Sequence, residues 1–540
     1  MGSNIQELEL VFILLLVFVV GFGSLATRIK TPYPILMVIG GLLLSLIPGI
    51  PRFSLDPDII FFAVLPPLLF AAAFTTSWRD FRYNLFSIFS LAFGLVGFTV
   101  LGVALISRWI LPGFDWRLGL VLGAVVSTTD AIAATSIAQR VGLPRRIIDI
   151  LEGESLINDA SGLLALEFTV ALVVTGQTPT LAMGAGRLIY LVAGGIGTGL
   201  IVGKIVDWLE HHIDDSPVEI TMSIVTPYVA YLAAENIHSS GVLSAVACGL
   251  FLGRRSATFF SSIVRIEAHA FWNTLTFALN GIVFVLIGFQ LPYVRARIGN
   301  VRLQDLVLEG ALFSGAVIVL RLIWVYPGAY LSYFIRRRIF HHPEPTPGWQ
   351  SIFVAGWTGM RGVVALAAAI SLPATMANGM PFPQRDAILF LTFCVIFVTL
   401  VLQGLTLPAL IRALGVRERA MGNCELSEAR KIMVEAALNE LERSPEREFP
   451  ELKGIYADVE NHYRARLSAA RDAVEGKSGS AGQVNLYEQV TRRYRVVERA
   501  AAIRLRDQDR ISDEVLRDLL RNLDLLDARA NAGQATSNSG

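Results

Sequence analysis

Asp130, Glu154, Asp159, Arg321 and Arg361 all stand inside long apolar runs. An isolated charge at such a place costs about 3 kcal/mol upward in a bilayer, so these groups must face one another or a hydrated cavity. Glu154 and Asp159 belong to the run Glu152-Gly153-Glu154-Ser155-Leu156-Ile157-Asn158-Asp159-Ala160. On a helix Glu154 stands under Asn158 and Ser155 under Asp159, which predicts one polar patch, with Glu152 turned toward the interface. Asp130 follows Ser127-Thr128-Thr129, a hydroxyl-rich stretch suited to a local break with freed carbonyls. Asp130, Asp159, the Ser155 hydroxyl, Thr129 and water make an all-oxygen set that fits a hard monovalent cation such as Na+. A carboxylate in that set can take either a proton or a cation, and competition for it is the simplest exchange chemistry. Cross-membrane ion pairing with a purely structural purpose is the other reading of any one of these charges.

The elements that must position these residues are membrane helices. The chain has 540 residues, 53% hydrophobic and 17% charged, where a soluble protein carries about 25% charge. Residues 1–412 hold 25 Lys/Arg and 23 Asp/Glu, and residues 413–540 hold 21 and 22. Charge density roughly triples at that boundary, predicting a membrane domain over 1–412 and a water-exposed tail over 413–540. Apolar runs long enough to cross, about 20 residues each, occur at about 8–26, 32–50, 58–77, 84–107, 117–138, 148–175, 184–208, 217–236, 240–253, 271–293, 308–334, 350–374 and 386–411. The ninth is the shortest and is Gly-rich. Glu7 and Glu9 precede the first run and no small-residue cleavage pattern follows it, as expected of a retained span rather than a signal peptide. With thirteen spans and the tail inside, cytoplasmic loops carry fourteen basic residues and the opposite loops eight. That bias predicts the N-terminus outside and the C-terminus in the cytoplasm.

The twelfth run carries a second interruption, Gly356-Trp357-Thr358-Gly359-Met360-Arg361-Gly362. Its glycines permit unwinding, and Arg361 could offset the carbonyl ends of half-helices nearby. The fifth run is the fifth of the first six, and the twelfth is the fifth of the last six. Interrupted spans at matching places in two halves are the mark of inverted-repeat carriers with a midplane ion site.

Other classes find little support. No nucleophile–base pair, metal cluster, phosphate loop or dinucleotide fingerprint appears, so an enzyme and a resident cofactor are not expected, and a net charge of +1 gives no sign of nucleic acid. Cys248, Cys394 and Cys424 match neither a disulfide framework nor ligand spacing. His211 and His212 beside Asp214 and Asp215, and His341 and His342, read as solvated loops. His269 and Glu267 would cap the tenth span, and Asn280 and Gln290 would hold helices together. The tail shows helical spacing over 425–443 and 483–526, a flexible gap at Lys477–Gly482, and a leucine face at Leu516, Leu519, Leu520, Leu523 and Leu526. Its last dozen residues have the composition of a disordered end. Regulation or dimer contact is set against simple packing in the cytoplasm for this tail.

The run from Gly153 to Asp159, with Thr129-Asp130 upstream, resembles the monovalent cation/proton antiporters of the sodium/proton exchanger type, in detail their bacterial branch. Pro66-Pro67-Leu68-Leu69-Phe70, Gly359-Met360-Arg361-Gly362 and Val401-Leu402-Gln403-Gly404 match further motifs of that family in order and spacing. The resemblance implies an all-α polytopic membrane protein with thirteen helices, a homodimer, and a mobile core containing two crossed, broken helices. It implies that Asp159 is the shared cation/proton site with Asp130, Ser155 and Thr129 nearby. It also implies that Asn158 marks one-for-one exchange, that Glu154 and Arg321 form a structural ion pair, and that Arg361 stabilises the crossing. The expected activity is Na+/H+ antiport at the bacterial plasma membrane, with Li+, K+ or Rb+ as further substrates. Exchange chiefly of K+, or a cation channel, are the alternatives. This chain departs from many relatives at Ala71, where they carry an acid, and at Ala131, where they carry proline.

Overall fold

The computed structural model describes residues 2–29, 31–47, 60–176, 181–297, 303–339, 341, 346–376, 379–416, 421–444, 449, 451 and 453–474, with scattered positions between 494 and 526. Helices make up its secondary structure apart from an isolated bridge between Thr375 and Pro381. The chain divides into two compact units, 1–417 and 418–540.

In the first unit the helices are α1 (Gly2–Ile29), α2 (Tyr33–Ser45), α3 (Leu65–Thr75) and α4 (Trp78–Ile110). Next come α5 (Trp116–Ser127), α6 (Ala131–Val141), α7 (Arg145–Thr175), α8 (Leu181–Glu210), α9 (Ser216–Asn236) and α10 (Gly241–Phe259). The last are α11 (Ser262–Arg297), α12 (Leu303–Ile339), α13 (Trp349–Trp357), α14 (Val363–Ile370) and α15 (Arg385–Leu414). Helices α4 and α15 contain π-helical stretches at Ser90–Leu95 and Thr399–Gln403, and a third π-helical turn, Ile60–Val64, leads into α3. Pro66 and Pro67 sit in the first turn of α3, where their missing N–H groups cost no intrahelical bond. Helix α10 runs several residues beyond the short ninth apolar run.

Among the described residues six helices, including α4, α7 and α12, are each long and apolar enough to cross a bilayer. Their outward faces carry large exposed apolar side chains, such as Leu101, Leu105 and Trp109 on α4 and Leu312, Val319 and Ile323 on α12. Water would reject such faces and lipid accepts them. Charge is found inside instead: Arg321 and Arg361 are the two largest fully buried side chains among the described residues, and Glu154 is 1% exposed. The protein is therefore an all-α, membrane-embedded bundle with several bent or broken helices.

Packing without a hydrophobic drive between helices relies on close backbone approach at small residues. Helices α2 and α11 meet at Gly41 and Gly288, each lying against a backbone carbonyl of the other helix, Val285 and Val38 respectively. Helix α10 seats Gly249 and Gly253 on the Phe70 and Phe74 carbonyls of α3 in the same way.

In the second unit α16 (Met421–Arg443) pairs with α17 (Lys453–Val474). Arg471 bonds Glu435 at 3.0 Å and Arg464 lies 3.7 Å from Glu442, so the pair is antiparallel. Val434 and Leu467 are buried in this unit. The tail is expected to be mostly helical, but α17 falls outside the two stretches singled out there, although Ile455, Val459, Tyr463 and Leu467 recur every four residues. Leu516, the Lys477–Gly482 gap, His342 and the last dozen residues lie outside the described residues, as does the Cys424 side chain.

A Cβ on Gly288 would overlap the Val38 carbonyl, while Gly97 on α4 has open space around its own. Gly288→Ala should thus cost about 1–3 kcal/mol through forced backbone movement, and Gly97→Ala should be neutral or stabilise by up to about 1 kcal/mol. Thermal unfolding of the two detergent-purified variants checks this contrast; equal melting temperatures would refute the close α2–α11 contact.

Candidate functional site

Two chain breaks meet in the first unit. The stretch 128–130 separates α5 from α6, and 358–362 separates α13 from α14. They are joined by a backbone hydrogen bond in which Asp130 N–H donates to the Met360 carbonyl at 2.8 Å. Gly362 lies against the Asp130 side chain so closely that a Cβ would overlap its carboxylate, and Gly359 lies as closely on the Arg321 guanidinium. Glycine at both places is a requirement of approach. Ala131 in place of proline does not prevent the break.

Each break leaves carbonyls without helical partners, and a buried arginine meets them at each one. Arg361 donates from Nε to the Val126 carbonyl at the end of α5 (3.0 Å) and from Nη1 to the Gly359 carbonyl. Its own N–H is held by the Thr399 hydroxyl at 3.1 Å, inside the π-helical part of α15. Arg321 donates from Nε to the Gly356 carbonyl at the end of α13 (3.1 Å), and from Nη2 to Ala355. Arg321 also grips Glu154 with two bonds, 2.5 Å from Nη1 to Oε1 and 2.8 Å from Nη2 to Oε2. The Thr129 hydroxyl donates to Glu154 Oε1 at 3.0 Å and accepts from Asn158 Nδ2. A continuous network thus runs from Arg321 through Glu154 and Thr129 to Asn158, whose buried Oδ1 has no hydrogen-bond partner among the described residues.

Helix α7 places the expected residues on two different faces. Glu154 and Asn158 turn into this network, whereas Ser155 and Asp159 line a cavity of about 140 Å³. The single patch expected from the sequence is split, because Glu154 and Ser155 differ by about 100° around the helix. Thr128, Thr129 and Asp130 line the cavity from the broken linker, and Thr135 from α6. Asp159 is 4% exposed, and Asp130 is its charged neighbour. Asn158 does not line the cavity; its amide reaches Thr129 instead.

Three further polar residues line it that sequence reasoning assigned elsewhere or passed over. Glu152, expected at the interface, faces the cavity, since seven residues make about two helical turns and return it to register with Asp159. Asn280, expected to hold helices together, contributes from α11, and Thr75 from the end of α3. A second cavity, of about 210 Å³, lies against the other half of α7, where Ala160, Ser161 and Glu167 line it. The two cavities therefore reach adjacent residues of one helix, Asp159 and Ala160.

Through Nδ1, His211 and His212 bond the backbone carbonyls of Asp207 and Trp208 one turn back, and His211 also lies 3.9 Å from the Asp207 carboxylate. Glu267 accepts from the Ser216 hydroxyl of α9. Among the described residues there is no group of three His, Cys, Asp or Glu side chains arranged to hold a metal.

The buried ion pair has a consequence for stability. Removing one partner leaves the other charge unpaired, at about 3–5 kcal/mol. Glu154→Gln should lower the melting temperature and the yield of folded protein, and Arg321→Ala should lower them further, because it also abandons the Gly356 carbonyl. The double variant should recover part of the loss. Thermal unfolding in detergent checks the series, and single variants as stable as the parent would remove the pair from the scaffold.

Comparison with known proteins converges on one family. Residues 12–413 match the transmembrane sodium/hydrogen exchanger family. An uncharacterized Na+/H+ exchanger of Mycobacterium tuberculosis is 34% identical over 532 residues, covering 97% of this chain and 96% of its own. An uncharacterized Na+/H+ exchanger of Escherichia coli is 31% identical over 547 residues, with 96% and 98% covered. The sodium proton antiporter of Methanocaldococcus jannaschii superposes with a TM-score of 0.57 at 21% identity, over 76% of this chain and 99% of its own, and that likeness speaks for the fold. The chain belongs to the bacterial sodium/hydrogen exchanger family, as a multi-pass membrane protein that exchanges cations for protons by secondary transport and is not an enzyme.

Proposed function

We propose that this protein is an electroneutral Na+/H+ antiporter in which the cation and the proton compete for Asp159. The observation that carries the reading is the position of Asp159. It is a buried carboxylate that lines one cavity, and the next residue, Ala160, lines another that follows the C-terminal half of the same helix. A small rearrangement of the broken helices then suffices to change which cavity reaches it, which is the geometry alternating access requires.

The roles follow from the surroundings. Asp159, Asp130 and Ser155 supply oxygen ligands at the cavity wall, with the Thr128–Thr129 linker beside them. Thr129 contributes through its backbone, since its hydroxyl is committed to Glu154. Asn158 ties the site to the scaffold and cannot titrate. Glu154, held by Arg321, and Arg361, held by carbonyls, are structural charges. A relative from Bacillus subtilis, 31% identical over 417 residues, is described as a sodium, potassium, lithium and rubidium/H+ antiporter. Li+, K+ and Rb+ are accordingly substrates to test beside Na+, and predominant K+/H+ exchange is the second reading.

The proposed architecture is thirteen spans in two inverted repeats, in which α5–α6 and α13–α14 are the broken members. The N-terminus lies outside and residues 413–540 form a cytoplasmic tail with a regulatory or dimer-contacting part. The working unit is a homodimer. On this topology the Asp159 cavity opens to the cytoplasm, because its wall reaches Glu152 near the Arg145 end of α7.

Asp159→Asn should abolish sodium-driven proton flux while leaving the protein folded, since an amide neither binds nor releases a proton in this range. Everted vesicles with a pH dye provide the measurement, and flux equal to the parent's would sink the assignment. Stoichiometry has its own test. If Asp159 alone changes occupancy, each half-cycle carries the same net charge, so the sodium and proton gradients at zero net flux should not move with voltage. Proteoliposomes under a thiocyanate diffusion potential, which adds no alkali cation, check this. A shift of the balance point with voltage would require a second titrating group.

A further inference from the structure

We infer that Glu152 is a positioning residue for transport: an approach carboxylate that draws the cation into the cavity and delivers it toward Ser155 and Asp159. The inference rests on the reading of Asp159 as the exchange site.

The geometry is that of a stripe along one helix. Glu152, Ser155 and Asp159 all line the same cavity, and they stand at positions i, i+3 and i+7 of α7. A rise of about 1.5 Å per residue puts Glu152 about 10 Å from Asp159 along the axis, with Ser155 between them. Exposure falls along this path: Thr75 at the mouth is exposed, Glu152 and Ser155 are half-buried, and Asp159 is 4% exposed. The other buried carboxylate of this helix, Glu154, is fully occupied by Arg321 and Thr129 and points elsewhere. The charges that act on Glu152 are those of Asp149 and Arg145, both on α7 and both nearer its first turn. The α3 wall supplies no acid, since Leu65, Leu68, Leu69, Ala72 and Thr75 are its described lining residues. Glu152 is thus the acidic group between the mouth and the Asp130–Asp159 pair among the described residues that line the cavity. A fixed negative charge within a low-dielectric cleft concentrates cations there, and its influence on a site about 10 Å away survives at low ionic strength and fades in salt.

The test is sodium-driven proton flux in everted vesicles, comparing Glu152→Gln, Glu152→Asp and Asp159→Asn with the parent. Glu152→Gln should raise the apparent KM for Na+ about three- to tenfold at low ionic strength, with the maximal rate nearly retained. Choline chloride at about 0.5 M should bring the two KM values together. Glu152→Asp, which keeps the charge, should restore most of the affinity. A packing role would lower the maximal rate, spare the salt dependence, and leave Asp no better than Gln; that pattern, or an unchanged KM at low salt, overturns the proposal. Asp159→Asn separates the two levels. If that variant is inactive while Glu152→Gln keeps the parent KM, only the approach role falls; if it still exchanges, the site reading falls with it.

Discussion

Carbonyls released by broken helices inside a bilayer are the constraint on which this structure turns. Lipid offers them no hydrogen bonds, and each orphan costs several kcal/mol. The chain meets the problem with one buried arginine for each C-terminal helix end, Arg361 at α5 and Arg321 at α13. Either charge would be intolerable in hydrocarbon without partners, and either break would be intolerable without the charge. The two costs offset each other, so breaks and arginines persist together. Glu154 completes the arrangement by neutralising Arg321, and Thr399 and the π-helical turn of α15 fix the backbone of Arg361.

This division of labour explains how one helix can serve both scaffold and site. On α7, Glu154 and Asn158 are tied to Arg321 and Thr129, which locks the helix against the crossing. Rotated by about 100°, Ser155 and Asp159 face a cavity instead. Because Thr129 touches Glu154 while its linker lines the cavity, the crossing is joined to the buried ion pair by direct bonds. Asp130 stands just before α6, where free backbone N–H groups favour a neighbouring negative charge.

Much of this was legible in the sequence, for identifiable reasons. Charges in apolar runs are rare enough that Asp130, Asp159, Glu154, Arg321 and Arg361 announce themselves, and clustered glycines or hydroxyls mark both breaks. The partner of Arg321 was not readable from spacing, since 167 residues separate it from Glu154; the family resemblance supplied that pairing. The faces of α7 were misread because adjacent residues were grouped as one patch, although counting by 100° separates Glu154 from Ser155 and returns Glu152 to Asp159. Asn280 carried no local signal, because only tertiary packing decides whether a buried amide meets a helix or a cavity. In the tail, the four-residue spacing of α17 was masked by its charge.

The size of the cavity bears on what kind of cation the proposed site would take. A volume of about 140 Å³ has room for several waters. Asp159, Asp130 and Ser155 cannot complete a hard cation's shell by themselves, since the Thr129 hydroxyl is bound elsewhere and Asn158 stays outside the wall. An ion in this space therefore keeps part of its hydration. Discrimination among alkali cations by a rigid cage needs the protein to replace most of that shell, as ligand number and cavity size set the preference. Two carboxylates and a hydroxyl in a wet cavity favour charge over radius. On this geometry the proposed site would discriminate little among alkali cations by size, and a proton would need only Asp159 of its ligands.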